Sequence, residues 1–551
     1  MHRTRPWHRP LLRRVAAVLT VMAVGLQSAG AEMRQGRTPP VERPAPVVVD
    51  RETARPGARP GQWVVSVPDF AQPSKVKVVS TASDRAAAMV NRLFHTGRAV
   101  GLEHVLYDNR DADHSRPKLG QLPQLRETRY GEEFTAKRLD RSLAGPFLFD
   151  TPVIGNASLA LTRGPFKRSL PRLATHSQAS AQTAYDLFAA NHLYVYPEHR
   201  DHDATNGDRF AAQTPYMVIS QGSSGSDRAF LEALALTYAA FQPETFERLR
   251  DEGLLPATAQ MILRRTLKGV PSEAAYLSPA AHPTAFDAES LRPSAMVALA
   301  QAIDPEKIPP MVQLDVLRDL EATPGVDYLA RNLSEQLFTT PGAVARVWRS
   351  FAGQRRLEVS AEATVDPNGH PLTFTWVLLR GDPDKVTISP SGPGGARAEI
   401  IADWHEPGEI IGPGDIETSR IEIGVFAHNG HHVSAPAFVS IALPRHQQRE
   451  YAGRGADAQL WRIDYDAGDS YVDPLIWPVA GWNDRLAHGP DGRVEVLTRQ
   501  KAGVAQPYAL HRNPAGGWSK RADETTAPQR IDHRAAGPPG SGLGLSEDLL
   551  P

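Results

Sequence analysis

Three apolar runs each stop abruptly at a dense group of ionisable and hydroxylic side chains. They are Leu102–Tyr107 ahead of Asp108-Asn109-Arg110-Asp111-Ala112-Asp113-His114-Ser115, Leu193–Tyr196 ahead of Glu198-His199-Arg200-Asp201-His202-Asp203, and Tyr216–Ile219 ahead of Ser220-Gln221-Gly222-Ser223-Ser224-Gly225-Ser226-Asp227. Helical patterns lie around them: an Ala-rich stretch, Arg85–His95, behind Ser83 as the expected N-cap, a helix end at Asp186–Ala190, and Asp227–Phe241 with Phe230, Leu231, Leu234, Tyr238 and Phe241 on one face. Strand and helix in alternation predict an α/β fold with a parallel sheet under helical cover. Ligands bind such sheets at the carboxyl ends of the strands, so the three polar groups are expected to converge on one site.

A chain of 551 residues has room for three or four domains. Residues 1–31 carry Arg3, Arg5, Arg9, Arg13 and Arg14, then the apolar Val15–Leu26 and the small-residue site Ala29-Gly30-Ala31, as a secretory signal does. A secreted or periplasmic protein with no membrane span after signal removal is expected. Residues 32–61, rich in Pro, Arg and Gly, read as a disordered linker. The α/β domain is expected over 62–243, with Trp63–Val67 and Val76–Ser80 as early strands. A helical subdomain follows over 244–354, its segments Pro256–Leu267, Pro293–Ala302, Pro309–Leu320 and Pro341–Phe351 each opening at a proline. Residues 445–512 suggest a small β-rich region, and 513–551 a disordered tail.

From Arg355 to Pro444 the pattern turns to period two, with Asp366-Pro367-Asn368-Gly369 and Asn429-Gly430 as turns. Asp366, Pro367, Asn368, Gly369, Leu372 and Trp376 together resemble the strand-joining stretch of PKD-like domains. That resemblance implies an immunoglobulin-type β-sandwich over 355–444 with Trp376 packed inside it. Such modules accompany secreted enzymes and surface proteins, and the resemblance names no substrate.

The polar groups allow several chemistries. Asp108, Asp111, Asp113 and His114 can serve as general acid and base or as ligands, while Arg110 can hold a carboxylate or an anionic substrate group. Glu198, His199 and His202 combine carboxylate and imidazole, which suits a borderline divalent metal such as Zn or Mn, or a solvated loop. The run Asp201-x-Asp203-x-Thr205-Asn206-Gly207-Asp208 fails as an EF-hand, because its glycine is one place late and the bidentate Glu is missing. In the third group Ser224 is a candidate nucleophile and Ser223 and Ser226 can offer amides to an anion, although Gly222-Ser223-Ser224-Gly225-Ser226 is not Gly-x-Ser-x-Gly. Ser224 and Asp227 also match a capping box, which needs no ligand.

Lys and Arg number 61 against 62 acidic residues, so no basic excess points to nucleic acid. The absence of cysteine excludes disulfides, thiol nucleophiles and thiolate metal sites. The resulting expectation is a hydrolase acting on an extracellular polymer such as a polysaccharide, with Asp108, Asp111, Glu198, His199 and Ser224 catalytic and Arg110, His114, His202, Ser223 and Ser226 contacting substrate. The alternative is a non-catalytic surface or glycan-binding protein built on the same loops.

Overall fold

The computed structural model describes residues 43–68, 76–142, 145–157, 172, 174–203, 207–320, 322–406, 408–409, 416–465, 472–473, 475–514, 516–521, 526–537 and 542–550. The expected signal peptide lies outside these residues. Six strands form a fully parallel sheet: β1 (Val47–Val49), β2 (Leu106–Asn109), β3 (Arg126–Tyr130), β4 (Val153–Asn156), β5 (His192–Pro197) and β6 (Met217–Ser220), in the order β1-β3-β2-β4-β5-β6.

Successive strand residues alternate between two apolar layers, as the pleat requires. Tyr107, Ile154, Leu193, Val195 and Val218 pack beneath the helices Arg85–His95, Arg228–Ala240, Leu255–Arg265 and Pro293–Ala302. Leu106, Val153, Tyr194, Tyr196, Met217 and Ile219 face the helix Gln178–Ala189 and a small sheet of Ala54–Pro56, Trp63–Val65 and Phe147–Phe149. The chain leaves β2 toward β3 on one side, and leaves β4 toward β5 on the other. The carboxyl ends of β2 and β4 therefore flank the topological switch point, where a crevice opens in such sheets.

A two-sheet sandwich follows. One sheet runs Asp315–Asp319, Gln354–Ser360, Arg397–Asp403, Val386–Ser391; the other runs Gln336–Thr340, Ala343–Val347, Ala437–Ala442, Arg420–His428, Thr373–Arg380. They close on a shared core that includes Trp348, Leu357, Ile400, Ile423 and Val439. Trp376 is 8% exposed and donates Nε1–H to the Gly395 carbonyl at 2.9 Å. The last eight strands, Gln448–Ala452 through Gly544–Leu549, form one antiparallel sheet in chain order.

Several expectations are corrected. Residues 43–61 are not a tether: Val47–Val49 is the edge strand of the parallel sheet, while Trp63–Val65 belongs to the small sheet and no strand forms over 76–80. Within 244–354, the proline-led segments 309–320 and 341–351 hold the strands Asp315–Asp319 and Ala343–Val347; the first is a mostly exposed edge strand paired with Gln354–Ser360, and the second is covered on both faces. The sandwich thus takes strands from well before Arg355. In the expected tail, Trp518–Lys520, Gln529–Ala536 and Gly544–Leu549 complete the eight-stranded sheet. The cap of Arg85–His95 is Asp84, whose carboxylate accepts from Ala87 N at 3.0 Å.

A buried ionic cluster joins the α/β region to the sandwich. Arg420 places Nη1 at 2.7 Å from Asp208 Oδ2 and Nε at 2.7 Å from Glu422 Oε2. Arg380 pairs with Glu422 and donates Nη2–H to the His282 carbonyl at 2.8 Å. None of the four is more than 5% exposed. Burial alone would raise the Asp208 carboxyl, but Arg420, His202 and Arg380 outweigh it and hold it below the usual carboxylate range.

Removing one member strands the others. Arg420→Ala is expected to cost about 3–5 kcal/mol in urea denaturation, whereas Arg318→Ala, at an exposed pair 3.7 Å from Glu358, should cost less than about 1 kcal/mol. Equal losses would refute the assignment. Trp376→Ala should cost about 3–5 kcal/mol as a large-to-small core change, and an unchanged unfolding midpoint would show that Trp376 is not a core residue.

Candidate functional site

The carboxyl ends of β2 and β4 hold a compact polar network. Asp111 and Asp227 each place Oδ2 at 2.8 Å from Ser115 Oγ. Asn156 Nδ2 reaches the same two oxygens at 2.9 and 3.0 Å and the Ser115 carbonyl at 2.8 Å. The Asn156 amide is oriented by its other end, where Oδ1 accepts the Tyr107 hydroxyl at 2.7 Å; Tyr107 in turn accepts from Asn109 Nδ2 at 3.0 Å. Asp111, Ser115, Asn156 and Asp227 are all buried.

The backbone explains why these residues meet. Tyr107 and Asn109 lie on the same face of β2 by the period of two, and Asn156 ends β4 in register with Asn109. After β2 the chain takes left-handed conformations at Ala112 and Asp113, with φ of 59° and 66°. This tight turn brings Ser115 N back to Asp111 Oδ2 at 2.7 Å. Asp227 precedes the helix Arg228–Ala240, but its side chain makes no capping bond and turns to Ser115 and Asn156 instead. The capping box expected of Ser224 and Asp227 is therefore not formed.

A proton count gives the network its chemistry. Ser115 has one hydroxyl proton and two carboxyl oxygens at 2.8 Å. It can donate to only one at a time, so the two carboxyls compete for it. Burial pushes the Asp227 carboxyl above the usual range and the Asp111 charge adds to this, against the opposing bonds from Ser115 and Asn156. The two acids are thus coupled through the Ser115 hydroxyl. Asp227 Oδ1 is buried with no hydrogen-bond partner in the structure.

The other expected residues fall into separate places. Asp108 points to the opposite face of β2, where its carboxylate accepts from Thr128 at 2.7 Å, Tyr130 at 2.8 Å and Tyr194 at 2.6 Å. Gly155 makes room for this contact, since a Cβ there would collide with the Tyr194 ring. Arg110 is buried beside that network, donating to the Leu139 carbonyl at 2.7 Å and lying 5.3 Å above the Phe147 ring. Glu198 clamps the third loop, accepting from Gly222 N at 2.9 Å and His202 N at 3.3 Å. His199 adopts φ 51° and donates its N–H to the Gly222 carbonyl at 3.0 Å; burial lowers its pKa while Asp201 and Asp227 oppose the shift. His202 turns away toward Asp208, Arg380 and Arg420, and burial lowers its pKa as well. Ser223, Ser224 and His114 are exposed. Ser226 shares a 2.8 Å hydroxyl contact with Ser220.

The structure thus joins Asp111 to Ser115, Asn156 and Asp227, with His199 near enough to interact with Asp227. Ser115, Asn156 and Asp227 are not among the sequence candidates; the signal available for them was their place at strand ends beside a helix start. Among the described residues no group of three or more His, Asp or Glu is placed to hold a metal ion. Among the same residues, no helix is long and apolar enough to cross a membrane.

No family model matches this sequence, and no curated protein matches it. A solved structure described as a nucleoside hydrolase-related hypothetical protein from Saccharophagus degradans, associated with carbohydrate metabolism, is 11% identical, covers 62% of this chain and 100% of its own, and has a TM-score of 0.19. A likeness at that score has no bearing on the reaction.

Glu198 gives a pH test. Burial raises its carboxyl to about 7, against the backbone N–H groups of Gly222, His202 and Asp201. A raised acid is protonated in the folded chain and ionised in the unfolded one between about 4.3 and the folded value, so stability should fall as pH rises through that window, by at most about 1.4 kcal/mol per pH unit. Glu198→Gln should flatten that slope relative to the wild type in denaturation at pH 5, 6 and 7. An unchanged slope would show that Glu198 titrates normally.

Proposed function

We propose that this chain is an exported hydrolase acting on an extracellular polymer such as a polysaccharide, with its reaction centre at the switch point of the parallel sheet. The observation that carries the reading is the pair of buried carboxyls, Asp111 and Asp227, competing for the one Ser115 proton. An acid held protonated beside an ionised carboxylate is the arrangement that splits a pair of like groups into a proton donor and a base. Asp227 would protonate the leaving oxygen, and Asp111 would take up a proton from water through Ser115. Asn156, fixed by Tyr107 and Asn109, positions both. Glycosidic bonds are cleaved by paired carboxyls, one of them an acid, which agrees with a polysaccharide substrate. His199 stands by as a neutral imidazole, and Glu198 holds its loop against Gly222. In this reading the two-sheet sandwich is a PKD-like module.

A second reading, a glycan-binding surface protein without turnover, draws on one observation. Asp108 and Arg110 are consumed by internal contacts, and the acid pair is itself buried.

Asp227→Asn separates the two. Asparagine mimics the protonated carboxyl, so stability should change by less than about 1 kcal/mol, while turnover on a polysaccharide panel should fall about 10²–10⁴-fold. Asp111→Asn, which removes the ionised acceptor of three donors, should lose both turnover and stability. Wild-type activity in Asp227→Asn would refute the assignment, and binding of glycan by a wild type that releases no product would favour the second reading.

A further inference from the structure

A cleft of about 990 Å³ opens between the sandwich and the eight-stranded sheet. Its lining combines Arg355, Arg356, Arg493 and Arg512 with the apolar Leu320 and Phe351. At its inner side Arg355 binds Glu335 at 2.7 Å and Asp319 at 3.1 Å, and Asp319 also binds Arg346 at 2.5 Å. Glu335, Arg346 and Arg355 are buried, the Asp319 side chain is 7% exposed, and the four cancel in charge. They fix the wall rather than confer its sign.

The remaining lining is cationic. Arg356, Arg493 and Arg512 face one other lining acid, Asp327. Two of these arginines have exposed partners outside the cleft: Arg356 reaches Glu399 at 3.4 Å and Arg493 reaches Asp491 at 3.9 Å. Arg512 donates only to the Val494 carbonyl, at 3.4 Å, among the described contacts. Pairs so long and exposed contribute little, so their guanidinium donors can be given over to a ligand at small cost. Arg355 adds a buried Nε–H that has no acceptor in the structure. Leu320, 63% exposed, supplies an apolar surface at the same place.

We propose that this cleft binds an acidic polysaccharide chain through its carboxylate groups. Planar guanidinium groups match carboxylates in geometry as well as charge, and the apolar surface suits the C–H faces of sugar rings. The size and mixed lining fit an extended oligosaccharide. The site lies on elements separate from the Asp111–Asp227 pair and needs no turnover.

Titration calorimetry on the full chain tests this with uronate oligosaccharides, neutral hexose oligosaccharides of equal length and single-stranded DNA of equal charge. Uronate should bind, with affinity falling as salt rises, while the neutral chain binds much more weakly. The double variant Arg493→Ala/Arg512→Ala should weaken uronate binding about tenfold or more with an unchanged melting temperature. Asp227→Asn should bind uronate as the wild type does, which keeps this result distinct from that on hydrolysis. Absence of binding, equal binding of the neutral chain, tighter binding of DNA, or wild-type affinity in the double variant would each overturn the proposal.

Discussion

Two arginines and two carboxylates, all shielded from water, hold the strand Gly207–Asp208 against the sandwich. Moving four such charges out of water costs several kcal/mol each, and their attraction offsets this only if the geometry is good and other donors are satisfied. Here most are. Arg420 donates further to the Phe210 carbonyl at 2.8 Å and Thr284 at 2.7 Å, and Arg380 to Gln213 at 3.2 Å. A cluster of this kind gains little net stability over an apolar packing, but it tolerates only one registry. Shifting Arg420–His428 by one residue would turn Arg420 and Glu422 to the other face and leave Asp208 buried alone.

The consequence reaches the polar network. Asp208 lies ten residues after Glu198, on a strand pair with His202–Asp203 that also joins Glu417–Thr418 of the sandwich side. Glu198 in turn holds Gly222 N, at the start of the loop that delivers Asp227. The parallel sheet therefore shares its shape with the sandwich through a continuous chain of bonds, and the two share a core as well, since Phe426 and Ala435 pack among the helices. The sandwich is part of the structure that positions Asp227.

The strand ends were legible because an apolar run that stops at Asp108, Glu198 or Ser220 is a local signal. Which of their residues meet was not. The period of two alone puts Tyr107 and Asn109 on one face of β2 and Asp108 on the other, so Asp108 could have been separated from Asn109 in the sequence. The meeting of Asp111 with Asp227 depends on β2 lying beside β4, a choice of strand order made by packing across the whole sheet. Asp227 resembled the partner of a Ser224 cap because it stands three residues on, whereas its side chain bonds Ser115 and Asn156. Asp208 and Arg420 are paired across more than two hundred residues, a partnership that no local pattern carries. The strands at 315–319 and 343–347 were hidden behind prolines, which can precede a strand as well as a helix: the first is a mostly exposed edge strand, and the second is buried on both faces.

The acid pair follows from this architecture in energy as well as position. Two ionised carboxylates about 5 Å apart repel by about 3 kcal/mol at an effective dielectric constant near 20. Keeping an ordinary aspartic acid protonated at pH 7 costs about 4 kcal/mol. Repulsion from Asp111 alone would therefore not keep Asp227 protonated at that pH, and burial is the first cause of the upward shift at its carboxyl. Asp227 is fully buried at one end of the Gly222–Asp227 loop, and Glu198 holds the other end through Gly222 N, so the shift at Asp227 depends on how that loop is packed.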